Sequence, residues 1–216
     1  MRVPRLARFL SPVLLAVLAG CNDPPKSDPP KTTAPAAAAD AKTAGARVAD
    51  AGYLAIDAAS STVGFVGAKA IGKHEGKFTA FSGQVGLVGG KAEGGKVIVS
   101  IDLGSVKTDD EKLDGHLKSP DFFDVAKFPK ATFTSTEVKA GGDKGATHTI
   151  TGTLDLHGVT KTISFPATIT VSGDAVSATA EFTINRKEFG IVYPGMPDNL
   201  IKDDVAIKLS IKAKKG

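Results

Sequence analysis

The sequence predicts an all-β protein, a single antiparallel eight-stranded, lipocalin-like β-barrel with a short helical insertion. Three observations lead there. Apolar and polar residues alternate with a period of two over long stretches, and glycine-bearing turns separate those stretches. The strands so defined each have one dry face, and a set of one-sided strands closes best into a barrel that leaves no sheet edge exposed. Of the 216 residues, 42% are hydrophobic and 23% charged, the proportions of a globular chain rather than a disordered one.

Strand segments are expected near residues 53–57, 61–70, 76–88, 95–103, 131–138, 147–156, 159–172, 175–184 and 204–214, eight or nine in all. Val97, Val99, Ile101 and Leu103 share one face of their segment. Ile150, Leu154 and Leu156 do the same, opposite Thr147, Thr149, Thr151 and Thr153. Ile163, Phe165, Ala167 and Ile169 oppose Thr160, Thr162, Ser164, Thr168 and Thr170, and Val205, Ile207, Leu209 and Ile211 close the chain in the same register. Threonine on the wet face fits the pleated surface. His157-Gly158 and Gly173-Asp174 are hairpin turns. Between Thr108 and Asp124 the alternation stops, and Asp109-Asp110-Glu111 opens a short helix capped by Thr108.

Ahead of the barrel domain, residues 52–216, lie two segments of different character. In residues 1–20, Arg2, Arg5 and Arg8 precede an apolar run over residues 9–19, the pattern of a secretory signal. The run is too short to cross a bilayer, which takes about 20 apolar residues. Its end, Leu18-Ala19-Gly20-Cys21, resembles a bacterial lipobox, in which the signal is cut before the cysteine and the cysteine is acylated. Cys21 is the single cysteine of the chain, so no internal disulfide competes for it. Two or three acyl chains would anchor firmly where one holds only marginally. Residues 21–51, rich in Pro and Ala, read as a flexible tether with little to bury. Together these features place the protein in a bacterial cell envelope, lipid-anchored and facing the periplasm. Asn22, in place of the Asp of the better-known retention signal, favours the outer membrane slightly.

The formal charge of +4 belongs to the export signal. Of 27 basic residues three are lost with residues 1–20, leaving 24 against 23 acidic. No nucleic-acid footprint survives that correction. Catalysis finds little support either: there is no G-x-S-x-G elbow, and the one thiol is taken by the anchor. His74, His116, His148 and His157 lack metal-ligand spacing. His157 is expected to order its turn and His148 to be exposed beside a loop. Asp114, His116, Asp121 and Asp124 form the best polar cluster, read as helix caps and turn contacts ahead of acid–base work. No catalytic residue, metal or cofactor is expected.

Interest therefore turns inward. Phe65, Phe78, Phe81, Phe133, Phe165 and Phe182 fall on the dry faces with Gly and Ala between them. An eight-stranded barrel can fill its interior with side chains or hold one small ligand. Pattern alone favours the filled interior and leaves an apolar cavity open.

The segment Leu113-Asp-Gly-His-Leu-Lys-Ser-Pro-Asp-Phe-Phe-Asp124, followed by Lys127-Phe-Pro-Lys-Ala-Thr-Phe133, resembles the YceI-like family. So do Gly152-Thr-Leu-Asp-Leu-His-Gly-Val-Thr-Lys161, Phe182-Thr-Ile-Asn-Arg-Lys-Glu-Phe-Gly-Ile191 and the opening Tyr53-Leu-Ala-Ile-Asp57 with Ser61-Thr-Val-Gly-Phe65. The resemblance implies a barrel that binds a long amphiphile: a polyisoprenoid, an isoprenoid quinone or a fatty-acid derivative. It raises the cavity above the filled core, and puts Phe122 and Phe123 near the barrel mouth or wall. Asn185, Arg186 and Phe189 become part of the rim. The expected partners are that apolar ligand and the membrane reached through Cys21; a homodimer stays open. The competing reading is a structural or stress-related envelope lipoprotein that presents a surface to a protein, and a third is an enzyme acting on lipids through His116 or Asp124.

Overall fold

Period-two alternation buries one face of each strand, and the computed structural model, which describes residues 52–215, shows how those faces are brought together. In chain order the strands are β1 (Tyr53–Ile56), β2 (Thr62–Lys69), β3 (Lys73–Phe78), β4 (Phe81–Val88), β5 (Lys91–Asp102), β6 (Val106–Thr108), β7 (Lys130–Ala140), β8 (His148–Leu156), β9 (Val159–Ser172), β10 (Ala175–Asn185), β11 (Gly195–Met196) and β12 (Asn199–Lys214). One helix, α1 (Glu111–Lys118), interrupts them. The signal, the tether and Cys21 lie outside the described residues.

Eight strands form a closed antiparallel ring in the order β1, β4, β5, β7, β8, β9, β10, β12, with β12 returning to β1. Closure depends on β12, the longest strand. One of its edges pairs with β10 without a break from Asp204 to Lys214. Its other edge is shared, Val205 to Ser210 against β2 and Ala213 and Lys214 against β1. From β2 the wall continues through β3 to β6, and the ladder stops there. Between β6 and β7 the space is filled by α1 and residues 119–129 rather than by a strand. We call the end of the barrel at Asn199 of β12 the upper end and that at Lys214 the lower end.

The tight turns follow their residues. His157 and Gly158 both have left-handed φ, 55° and 73°, as a two-residue hairpin between β8 and β9 requires. Two expectations need correction. The segment near 76–88 is two strands, because Thr79 and Ala80 turn a corner held by Ser105: the Thr79 Oγ1 donates to the Ser105 carbonyl at 3.0 Å and the Ala80 N–H to Ser105 Oγ at 3.0 Å. No Gly or Pro marks that corner. The helix is capped by Asp110, whose carboxylate accepts from the Lys112 N–H at 2.9 Å; Thr108 ends β6 instead.

Candidate functional site

The inward residues of the ring do not meet. They enclose a cavity of about 260 Å³, where one water needs roughly 10–15 Å³. Its walls are almost entirely carbon. Val97, Val99 and Ile101 of β5, Ile163, Phe165, Ala167 and Ile169 of β9, Val176, Ala178, Ala180, Phe182 and Ile184 of β10, and Val205, Ile207, Leu209 and Ile211 of β12 all face it. Those of β5, β9 and β12 are the alternating sets read from the sequence, and on β10 the sequence singles out Phe182 alone. Small residues open the space: a column of alanines on β10 leaves room that a column of leucines would fill.

The aromatic side chains fall into two groups. Phe165 and Phe182 stack with centroids 4.1 Å apart, and Phe133 tilts against Phe165 at 5.6 Å, across the middle of the barrel. Phe65, Phe78 and Phe123 form a second chain, at 5.7 and 5.8 Å, toward the upper end. Phe122, also on the wall, meets the His116 ring edge-on at 4.9 Å and Tyr193 at 5.3 Å. Thus seven of the nine expected phenylalanines line the cavity: Phe65, Phe78, Phe122, Phe123, Phe133, Phe165 and Phe182. Phe81 and Phe189 do not. Phe81, the first residue of β4, sits at the corner with β3 and packs toward Leu54, Ile56 and Val85. Phe189 ends a short 3-10 turn after β10 and is buried in the upper-end core, its carbonyl accepting from the His157 ring Nδ1 at 3.1 Å.

Two mid-strand glycines shape the wall, and their place within strands was the available signal for a close approach. A Cβ at Gly76 would fall inside the Phe65 ring, and one at Gly152 inside the Phe133 ring. The tip of each ring therefore occupies space over bare backbone of the neighbouring strand that any side chain there would deny it.

Among the described residues the cations at the wall are Lys96 and Arg186. Both are hydrogen-bonded to backbone. The Lys96 ammonium donates to the Ser135 carbonyl in the bulge of β7. The Arg186 guanidinium, 4% exposed, donates to the carbonyls of Ile191 (2.8 Å), Lys202 (3.1 Å) and Ile201 (3.3 Å) and to Asp203 at 3.3 Å. Burial lowers its pKa and the Asp203 carboxylate partly offsets this. The group is a tie between chain segments, not a receptor.

The upper end is plugged by side chains. Leu103, Leu117, Phe122 and Ile191 are buried there, with Leu113, Phe123 and Tyr193 packed against them. Sequence reasoning missed Leu117, Ile191 and Tyr193; Leu113 and Leu117, four apart on α1, were the visible hint. The polar cluster holds this plug in place. Asp114 Oδ1 accepts from the Thr108 N–H (2.6 Å) and Oγ1 (2.8 Å), and its Oδ2 pairs with Lys107 at 3.2 Å. Burial alone would raise the pKa of that carboxyl, but these partners outweigh it and hold it below the ordinary value. His116 Nε2 reaches Asp121 at 3.0 Å, and Asp124, buried with a φ of 45°, pairs with Lys127 at 2.9 Å. His148 corrects its expectation. It is buried, because the tip of the β4–β5 hairpin folds over it and brings Glu93 to 3.5 Å from its Nε2.

A family model described as the YceI-like domain matches residues 54–213. A UPF0312 protein of Pseudomonas putida is 35% identical over 139 residues, covering 62% of this chain and 71% of that protein. BcnA of Burkholderia cenocepacia superposes with a TM-score of 0.64 at 28% identity, over 74% of this chain and 99% of that one. A polyisoprenoid binding domain from Saccharophagus degradans, implicated in plant cell wall breakdown, has the same fold at a TM-score of 0.61 and 21% identity, over 76% and 98% of the two chains. With nearly the whole barrel matched, from β1 to the end of β12, the chain belongs to the YceI-like family.

Proposed function

We propose that the barrel holds a long-chain apolar molecule, a polyisoprenoid, an isoprenoid quinone or a fatty-acid derivative, and carries or sequesters it without covalent chemistry. The observation that supports this most is the carbon-lined cavity. Each methylene moved from water to such a wall contributes about 0.8 kcal/mol, so eight would contribute roughly 6 kcal/mol before the cost of ordering the chain. Because the wall presents almost no polar surface, any polar head group belongs at the mouth. The polyisoprenoid-binding description of the Saccharophagus degradans domain points to the same ligand class. Acylation at Cys21 would keep this carrier on a periplasm-facing membrane of the bacterial envelope, beside the source of its cargo.

Native mass spectrometry of gently purified protein tests the reading. The expected result is one bound apolar molecule per barrel, lost in the double variant Ala178→Phe, Ala180→Phe, which fills the lumen from one face of β10. A wild-type barrel that stays empty when offered these lipids, or a filled variant that keeps its ligand, would sink it.

A further inference from the structure

Among the described residues the large apolar side chains left exposed are Ile71, Val88, Val192, Met196 and Leu200, and four of these five gather at the upper end. Ile71 is the tip of the β2–β3 hairpin. Its N–H donates to Asn199 Oδ1 at 3.2 Å, and the neighbouring Ala70 N–H donates to the Leu200 carbonyl at 2.9 Å. Met196 pairs with Asn199 across β11 and β12. Val192 directly precedes Tyr193, whose ring packs on His116 and Phe122. Single exposed apolar residues need no explanation; a group this close together does.

Three features select the occupant. The group sits on the β2–β3 turn, the chain after β10 and the short β11–β12 hairpin, 53% to 79% exposed, a form suited to partial insertion into a soft phase rather than to a flat protein contact. It borders the side-chain plug, the part of the wall that no strand ladder closes. And the chain between Cys21 and Gly52 can span at most about 100 Å, so an acylated Cys21 leaves the upper end free to turn onto the bilayer although β1 enters at the lower end. Around the group Lys73 is paired with Glu75, His74 with Asp109, and Asp203 with Arg186 and Lys187. Lys69 and Lys202 carry no ion pair, and neither do Asp198 and Asp204, so the unpaired charge around the group balances.

We propose that the upper end docks on a lipid bilayer, with Ile71, Val192, Met196 and Leu200 entering the boundary between head groups and acyl chains. The plug formed by Leu117, Phe122 and Tyr193 comes to lie against the lipid from which cargo enters. Passage of cargo rests on the lipid-holding reading of the cavity; docking itself does not.

The test uses residues 21–216 with Cys21→Ser, so that no acyl chain contributes, floated with phosphatidylcholine vesicles with or without phosphatidylglycerol. The expected result is flotation with both compositions, because the apolar side chains and not a net charge drive it. The triple variant Ile71→Ser, Met196→Ser, Leu200→Ser should weaken vesicle binding by about tenfold or more, while Val88→Ser does not. Transfer of a fluorescent isoprenoid from vesicles should slow in the triple variant although its equilibrium ligand content is unchanged. Absence of flotation, or equal flotation of the triple variant, overturns the proposal. So does loss of an envelope protein partner in the triple variant while vesicle binding is untouched. Flotation by a protein that mass spectrometry finds unable to hold lipid would overturn the cargo reading and leave docking standing.

Discussion

The two ends of the barrel are closed by different means. At the lower end β1 pairs with both β4 and β12, and the β9–β10 hairpin stays in register up to its turn at Ser172 and Ala175. Leu54, Ile56, Val85, Val176 and Ala213 fill the space inside. The β4–β5 hairpin tip folds across this end and buries Ala92 among Val138, Ile150 and Phe165. Opening it means breaking several ladder hydrogen bonds together, each worth about 0.5–1.5 kcal/mol net. At the upper end the ladder stops at β6, and α1, residues 119–129 and the chain after β10 supply a plug of side chains. Side chains can part by changing rotamers while each segment keeps its own backbone bonds. Local opening should therefore be cheaper at the upper end, which is where a ligand can pass.

The strongest way to break that contrast is Arg186→Met. The guanidinium ties the turn after β10 to Ile191 and to the start of β12, so its loss leaves three carbonyls without a donor. Urea unfolding should show a loss of about 3–5 kcal/mol. Amide exchange should quicken in residues 187–201 and stay slow in β1; equal loosening of both ends would contradict the difference drawn here. Next come Phe122→Ala and Leu54→Ala, one from each plug, 7% and 4% exposed. The first should cost about 3–4 kcal/mol and the second about 2–4 kcal/mol. Only Phe122→Ala should speed ligand release in a stopped-flow assay. Faster release from Leu54→Ala would mean that the lower end also opens.

The same contrast explains what could be read in the sequence. The walls of the barrel were legible because period two survives in a strand whatever lies opposite it: the inward sets of β5, β8, β9 and β12 match the alternation residue by residue. Whether those faces meet or stand apart is a matter of radius, and no periodicity records a radius. The cavity came from the family resemblance, and the seating of the Phe65 and Phe133 rings against Gly76 and Gly152 is one local cause of it. The upper end was least legible. Its residues come from α1, the loop after it and the chain after β10, each too short to show a period, so Tyr193 and Ile191 were missed. Phe189 was placed on a ligand-facing rim when its short turn carries it into the core. His148 was misjudged for a related reason, since nothing local announces a hairpin tip arriving from β5.

The smallest effect compares two carboxylates, one at each end. Asp114 holds α1 to β6, and Asp57, in the turn between β1 and β2, pairs with Lys214 at 3.3 Å. The Asp57 carboxyl is held below its ordinary value by the Ser60 hydroxyl and the Lys214 ammonium, against a smaller opposing effect of burial; the Asp114 carboxyl is lowered as well. A carboxyl with a depressed pKa in the folded state stabilises the fold above its unfolded value, about 3.9. That contribution is lost as pH falls through the folded pKa. Asp114→Asn and Asp57→Asn should therefore each lower the urea midpoint near neutral pH, and the gap from wild type should close below about pH 4. Asp114, buried and accepting two hydrogen bonds besides its lysine, should give the larger gap; Asp57 is more open to water, which screens its pair. Amide exchange in α1 should quicken in acid before exchange in β1 does, unless Asp114 is replaced. A gap that persists undiminished in acid would assign the effect to lost hydrogen-bond geometry rather than to charge, and equal acid sensitivity at the two ends would remove the electrostatic part of the difference between them.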